Sequence, residues 1–330
     1  MRVLRMGLLG CAAIARRFVL PTWRSLPGFE VRCLASRDGA KSRAWADEFG
    51  GTGVEGYTAA LERDDVDAVY VPLPPALHSE WITKALEYGK HVVAEKPLAV
   101  NLPETLALTA LAAGRRLVLM EHLQFRFHRQ LAFMRSAMAD GRIGTMRHLR
   151  SSFGFPPLQE GNFRYVRSLG GGALLDAGVY PLCAAQLLLG PGAQVRGAVM
   201  SFDERLGVDL HGAALVAGEG GVAASLVWGF ENFYQCSIDL WGSSGRLVLE
   251  RAFTAPPGLA PRLVHECQGE RTEIVLPPDD HFANLWREFH RMVEAGDGAG
   301  ELIEIETRAR LVHQTRQLAG PSPSSGRSVP

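Results

Sequence analysis

Three side chains stand where they could move a proton. Lys96 lies in "AEKPL" (residues 94–98), directly after an apolar strand, and Pro97 confines it to extended backbone or to a cis bond, either of which fixes its direction. Asp176 and Tyr180 lie four apart in "GGGALLDAGVYPL", on one face of a helix, where a carboxylate and a phenol together can position and protonate an oxygen. Gly170, Gly171 and Gly172 just before them let the backbone approach a ligand. Each feature also has a plain alternative: Lys96 as an exposed charge at a strand end, and Asp176 and Tyr180 as parts of an ordinary amphipathic helix. Against the second stands the cost of a carboxylate on an otherwise apolar helix face unless something pairs with it.

A second set could hold a dinucleotide. Gly10, Cys11, Ala12, Ala13, Ile14 and Ala15 align with the phosphate loop G-x-G-x-x-G/A, with Ala12 where the second glycine would let the backbone come closest to a pyrophosphate. The same letters also fit a strand, turn and helix with no ligand. The next strand ends in Ser36 and Arg37, where an NAD-binding chain would carry an acid. A hydroxyl and a guanidinium suit a 2′-phosphate, so NADPH/NADP+ is expected rather than NAD, with Asp38 read as a solvated turn residue.

The elements that must position these residues follow a regular rhythm up to about residue 125. Strand-like "RMGLLG", "EVRCLAS", "DAVYVPLP", "HVVAEKP" and "RLVLMEHLQF" alternate with helix-like segments, which predicts an α/β fold with a doubly wound parallel sheet. Beyond it, a helix leads to "TMRHLRSSFGF", then to the glycine-rich helix, then to a run of strands joined by turns such as "GEGG" and "GSSG", the pattern of an open, largely antiparallel sheet. The expected organisation is a dinucleotide-binding domain over 1–125, a substrate and oligomerisation domain over 126–320 whose last helices are free to pack back on the first, and a disordered Pro/Ser-rich tail over 321–330.

Composition narrows the partners. The 330 residues carry 35 basic and 35 acidic side chains, so no charge excess points to nucleic acid or to an anionic membrane. No apolar stretch is expected to reach the roughly 18 residues that a membrane helix needs. The five cysteines are scattered and the ten histidines form no ligand motif, so neither disulfides nor a metal is expected, and a reducing cytoplasm fits best. The basic start and "LLGC" at Cys11 also resemble a lipoprotein signal, but the apolar run before Cys11 is shorter than such a signal needs.

Taken together and in order, "GLLGCAAIA", "PLPPALHSEWITKALEYGKHVVAEKPLA" and "GGGALLDAGVYPL" resemble the Gfo/Idh/MocA family of nicotinamide-dependent oxidoreductases. The resemblance implies a Rossmann domain joined to a C-terminal α/β domain, and dimers or tetramers assembled through the open sheet. It places the family's lysine on Lys96 and its aspartate on Asp176, and puts Tyr180 where many members carry histidine. It also implies that Leu73, Pro74, His78 and Glu95 lie near the nicotinamide. "FRYVRSLGGGALLDAGVYPL" and "WGSSGRLVLERAFTAPP" are most similar to the branch that reduces the C-3 carbonyl of dTDP-linked keto-deoxysugars with NADPH.

On that reading, Tyr180 or Lys96 protonates the developing alkoxide, Lys96 stabilises it, and Asp176 orients Lys96. Arg164 and Tyr165 are the expected site for the diphosphate and base of a nucleotide-linked ketosugar, with Arg126 and Arg129 as alternatives. The competing expectations are an NADP-dependent dehydrogenase of free sugars or trans-dihydrodiols, a non-catalytic NADP-binding protein, and a secreted, lipid-anchored binding protein.

Overall fold

The computed structural model describes residues 2–320, so the expected tail over 321–330 lies outside the described residues. The chain divides into two compact units. The first comprises 1–124 and 282–306; the second comprises 125–281 and 307–330.

In the first unit, β1 (Leu4–Leu9), β2 (Phe29–Ser36), β3 (Thr52–Glu55), β4 (Ala68–Val71), β5 (His91–Glu95) and β6 (Leu119–His122) form one parallel sheet in the order β3-β2-β1-β4-β5-β6. Its crossovers contain α1 (Leu20–Ser25), α2 (Gly39–Phe49), α3 (Tyr57–Leu61), α4 (His78–Glu87) and α5 (Leu102–Arg115). The strand order reverses between β1 and β4, so the loops leaving those strands frame the crevice in which such sheets bind ligands. The stretch that also resembles a signal sequence is thus the inner strand β1, paired on both sides. The short strand β3 and five-residue α3 were not legible in the sequence: β3 is a half-exposed edge strand with no alternation, and α3 is a single turn and a half.

The late segment that belongs to this unit is α8 (His281–Ala295). Phe282, Leu285, Trp286, Phe289 and Met292 fall on one helical stripe and are all buried. Phe282 stacks on Phe18 with centroids 4.5 Å apart, and Trp286 meets Trp23 edge-on at 5.0 Å.

The second unit is built on an eight-stranded sheet. β7 (Met146–Gly154), β8 (Gln194–Asp203), β9 (Val208–Ala217), β10 (Ala223–Gly229), β11 (Gln235–Gly242), β12 (Gly245–Glu250), β13 (Arg262–Cys267) and β14 (Glu270–Val275) run in the order β14-β13-β12-β11-β7-β10-β9-β8. All pairings are antiparallel except that of β10 with β7. Along β9 and β10, burial alternates, the mark of a sheet with one covered face. α7 (Val179–Leu189) lies over that face, Gly178 at its start fitting against the Trp228 ring. α6 (Arg129–Ala139) and the second half of α9 (Ala299–Ala319) complete the unit. The segment Arg167–Leu189 does reach the length and apolarity of a membrane span, a signal the sequence reading did not register, but 89% of its most apolar 18-residue window is buried within the protein.

Two helices contain a widened π turn, over Ala15–Val19 and Leu174–Gly178. Each lies just before a proline, Pro21 or Pro181. A proline cannot donate to the carbonyl four residues back and crowds it, and a wider turn relieves both conflicts.

Candidate active site

The crevice of the first unit begins at Gly10. Its φ of +114° is a conformation that side chains rarely adopt, and a Cβ there would stand 2.7 Å from Leu73 Cδ2. The loop after β1 and the loop after β4 therefore touch at this point. The helix opens at Ala13, and the Ala13 and Ile14 N–H groups, as its first donors, have no carbonyl one turn back to bond. Ala12 is half-buried, its carbonyl accepting from the Ala15 and Arg16 N–H groups. Cys11 faces the Ala35 carbonyl across 4.0 Å.

At the end of β2, the buried Ser36 hydroxyl accepts from the Asp38 N–H, which leaves its own proton available to an anion. Arg37 is exposed beside it. Asp38 is more than a solvated turn residue: its carboxylate caps α2, accepting from Ala40 and Lys41. Tyr57 belongs to the same crevice and was missed by sequence reasoning. Its hydroxyl lies 3.8 Å from where a Gly10 Cβ would sit; burial raises the phenol above its ordinary value, and the nearby Arg37 opposes that rise. A glycine-only approach, free helix donors, a hydroxyl and a guanidinium fit the pyrophosphate and 2′-phosphate of NADP(H).

The end of β5, where Lys96 lies, is organised by buried polar groups. Lys96 follows β5 directly, is half-buried, and precedes Pro97 through a cis bond. Glu95 accepts from the Tyr70 hydroxyl at 2.5 Å and faces His122 Nδ1 at 2.9 Å. Burial alone would push the Glu95 carboxyl up; the His122 charge, the His122 and Tyr70 hydrogen bonds and Lys96 outweigh it and hold the group at about 2. Neighbouring Glu121 accepts from the Leu98 N–H at 2.9 Å.

His78 differs from the expectation of a cofactor contact. Its ring is fully buried, with Nδ1 2.9 Å from the Pro97 carbonyl and Nε2 2.7 Å from the Leu73 carbonyl. The ring thus sits between the Leu73–Pro74 loop and the loop carrying Lys96, with a carbonyl facing each nitrogen. Burial pushes its pKa down, against the pull of those two carbonyls.

In the second unit, Asp176 sits in the π turn and pairs with Arg164, Nε to Oδ2 2.7 Å. The cation expected to take a diphosphate is therefore engaged by the carboxylate that needed a partner. The glycine run serves its own loop as well: a Cβ on Gly171 would stand 2.5 Å from the Arg164 carbonyl oxygen, and one on Gly172 2.3 Å from Asp209 Oδ1. Asp209 also accepts from the Leu174 N–H at 2.6 Å, which pins the helix start to β9. Tyr180 is buried among Phe125, Phe153 and Phe253. Tyr165 accepts from the Leu158 N–H and meets Phe230 edge-on. Of the alternative cations, Arg129 is drawn to Asp279, 3.7 Å away.

Two outcomes follow. Ala12→Leu should raise the NADP+ dissociation constant at least tenfold while leaving Tm within about 2 °C, because a larger side chain would crowd the phosphates rather than the core; calorimetric titration and thermal melts check both, and equal affinity sinks the assignment. The Glu95 carboxyl is depressed from 4.5, so its stabilisation is present above about pH 4.5 and lost as pH falls towards 2. Glu95→Gln should cost roughly 3 kcal/mol at pH 7 and flatten the acid limb of a urea-denaturation series over that window; a limb parallel to wild type contradicts it.

Comparison with known proteins agrees with this geometry. Residues 4–123 match the model of the oxidoreductase family with an NAD-binding Rossmann fold, and residues 131–248 match the GFO/IDH/MocA C-terminal domain. A dTDP-3,4-didehydro-2,6-dideoxy-alpha-D-glucose 3-reductase of Streptomyces violaceoruber is 45% identical over 328 residues, covering 96% of each chain. The NADP-dependent D-xylose 1-dehydrogenase 2 of Haloferax volcanii is 31% identical, covering 88% of this chain and 89% of its own. The crystal structure of KijD10, a 3-ketoreductase from Actinomadura kijaniata in complex with NADP and TDP-benzene, superposes with a TM-score of 0.93 at 43% identity, covering 96% of this chain and 98% of that one. With both domains matched in order and the dinucleotide crevice in place, the chain belongs to the Gfo/Idh/MocA family of oxidoreductases.

Proposed function

We propose that the protein reduces the C-3 keto group of a dTDP-linked keto-deoxysugar with NADPH. The observation that carries this reading is full-length likeness to a 3-ketoreductase crystallised with NADP and TDP-benzene. When bound, NADPH supplies the hydride. Lys96 or Tyr180 delivers the proton to the alkoxide oxygen, and the Lys96 ammonium stabilises the negative charge as it develops. Asp176, held by Arg164, presents a carboxylate for a sugar hydroxyl. Ser36 and Arg37 take the 2′-phosphate, which favours NADPH over NADH.

Likeness to a D-xylose 1-dehydrogenase keeps one rival, oxidation of free sugars, and substrate choice separates the two. Wild type should consume NADPH with a dTDP-3-ketosugar and leave free aldoses untouched. Lys96→Ala and Tyr180→Phe should each lower kcat by about a hundredfold or more. Near-normal turnover in both variants removes them as acids, and turnover of free aldoses alone removes the ketosugar reading.

Assembly through the open sheet is part of the proposal. Val199, Leu215, Val227 and Trp241 share one sheet face by register and are all exposed, an apolar surface of the kind that marks an interface. Sedimentation should show a dimer or tetramer that Val199→Glu with Trp241→Glu turns into a monomer; an unchanged assembly places the interface elsewhere. A cytoplasmic location is supported by five free cysteines, three of them buried.

A further inference from the structure

With Arg164 engaged by Asp176, a diphosphate-bearing substrate needs other cations, and the second unit offers two. We infer that the depression between the turn Arg167–Leu169 and the β8–β9 hairpin receives the nucleoside diphosphate portion of the substrate, with Arg167 and Arg205 gripping the diphosphate and Tyr165 walling the base. This inference rests on the ketosugar reading above.

The depression spans about 650 Å³, is broadly open to solvent, and is lined by Tyr165, Val166, Arg167, Ser168, Arg205 and Leu206. Its size lies within the roughly 300–1,000 Å³ of ligand pockets. Two arginines line it from separate stretches of backbone, and neither forms an ion pair with a described residue. The carboxylate nearest Arg205 in sequence, Asp203, is turned to the backbone: its Oδ1 accepts from the Arg205 and Leu206 N–H groups at 2.8 and 2.9 Å. Glu204, in the same turn, is exposed and does not line the depression. Arg167 is held against the hairpin, its Cδ 3.4 Å from where a Gly207 Cβ would sit.

Two planar cations facing one hollow suit a group with two negative phosphates, each able to accept paired N–H bonds, and the Ser168 hydroxyl adds a donor. The rest of the lining suits a base. Tyr165 is fixed at its hydroxyl by Leu158 and at its ring by Phe230, 5.8 Å away, so its ring is a preformed wall, with Val166 and Leu206 as apolar neighbours. The loop is locked by backbone bonds from Gly170 to Arg167, Gly171 to Val166 and Gly172 to Arg164, and the same loop carries the partner of Asp176. Recognition of the nucleotide and support of the reacting end are thus coupled through eight or so residues of rigid chain.

The test titrates dTDP into the full-length protein in the presence of NADP+. Arg167→Met and Arg205→Met, which keep the aliphatic packing, should each raise the dTDP dissociation constant about tenfold, and the double variant about a hundredfold. The corresponding lysine variants should recover part of the loss. NADP+ affinity, measured without dTDP, should not change. A double variant that binds dTDP like wild type overturns the inference, as does a loss confined to NADP+. If wild type binds dTDP and turns over the dTDP-ketosugar while the double variant is unaffected, only this site falls; if wild type binds no dTDP, the ketosugar reading falls with it.

Discussion

An ionised carboxylate taken out of water must find partners, and in this protein the partners belong to the loops that bear the candidate site residues. Glu95 at the end of β5 is held by Tyr70 and His122, Glu121 captures the backbone after Pro97, Asp176 draws in Arg164, and Asp209 anchors the first turn of the helix that bears Asp176. Leaving any of these unpaired would cost on the order of several kcal/mol, so each carboxylate dictates where one loop runs. The burial that threatens Glu95 is outweighed by charge and hydrogen bonding, whereas at Asp209 burial prevails over its hydrogen bonds and the Arg316 charge and pushes the carboxyl up.

These pairings explain what could and could not be read from the chain. The alternation of apolar strands with helices reports the parallel sheet because period and burial are local properties, and the position of Lys96 follows from it. Asp176 announced only that it needed a partner. That the partner is Arg164, twelve residues earlier and across a glycine run, depends on a loop closure that no periodicity encodes. Tyr57 and His122 were likewise invisible: one sits in a turn-and-a-half helix after an edge strand, the other ends a strand that reads simply as buried. His78 was visible as a residue but its role was not, since a histidine seated between two backbone carbonyls looks in sequence like one that meets a ligand.

The two π turns had a legible signal that went unused. Pro21 and Pro181 each fall inside a helical pattern, and a proline there withdraws one hydrogen bond, a loss that the widened turn before it accommodates. One widened turn follows the dinucleotide loop; the other holds Asp176. Because a π turn advances less per residue than an α turn, the four-residue spacing between Asp176 and Tyr180 does not carry the simple same-face meaning it has in a regular helix.

The first unit is assembled from two stretches of chain separated by more than one hundred and fifty residues, and the later stretch supplies Trp286, Phe282 and Phe289 to its core. During synthesis, the parallel sheet therefore leaves the ribosome with an apolar face still bare, while the whole of the intervening sheet is made before the covering helix arrives. Over that interval the nascent dinucleotide-binding unit exposes the apolar surface that α8 later covers, and it reaches its final stability only once the chain past residue 306 has emerged.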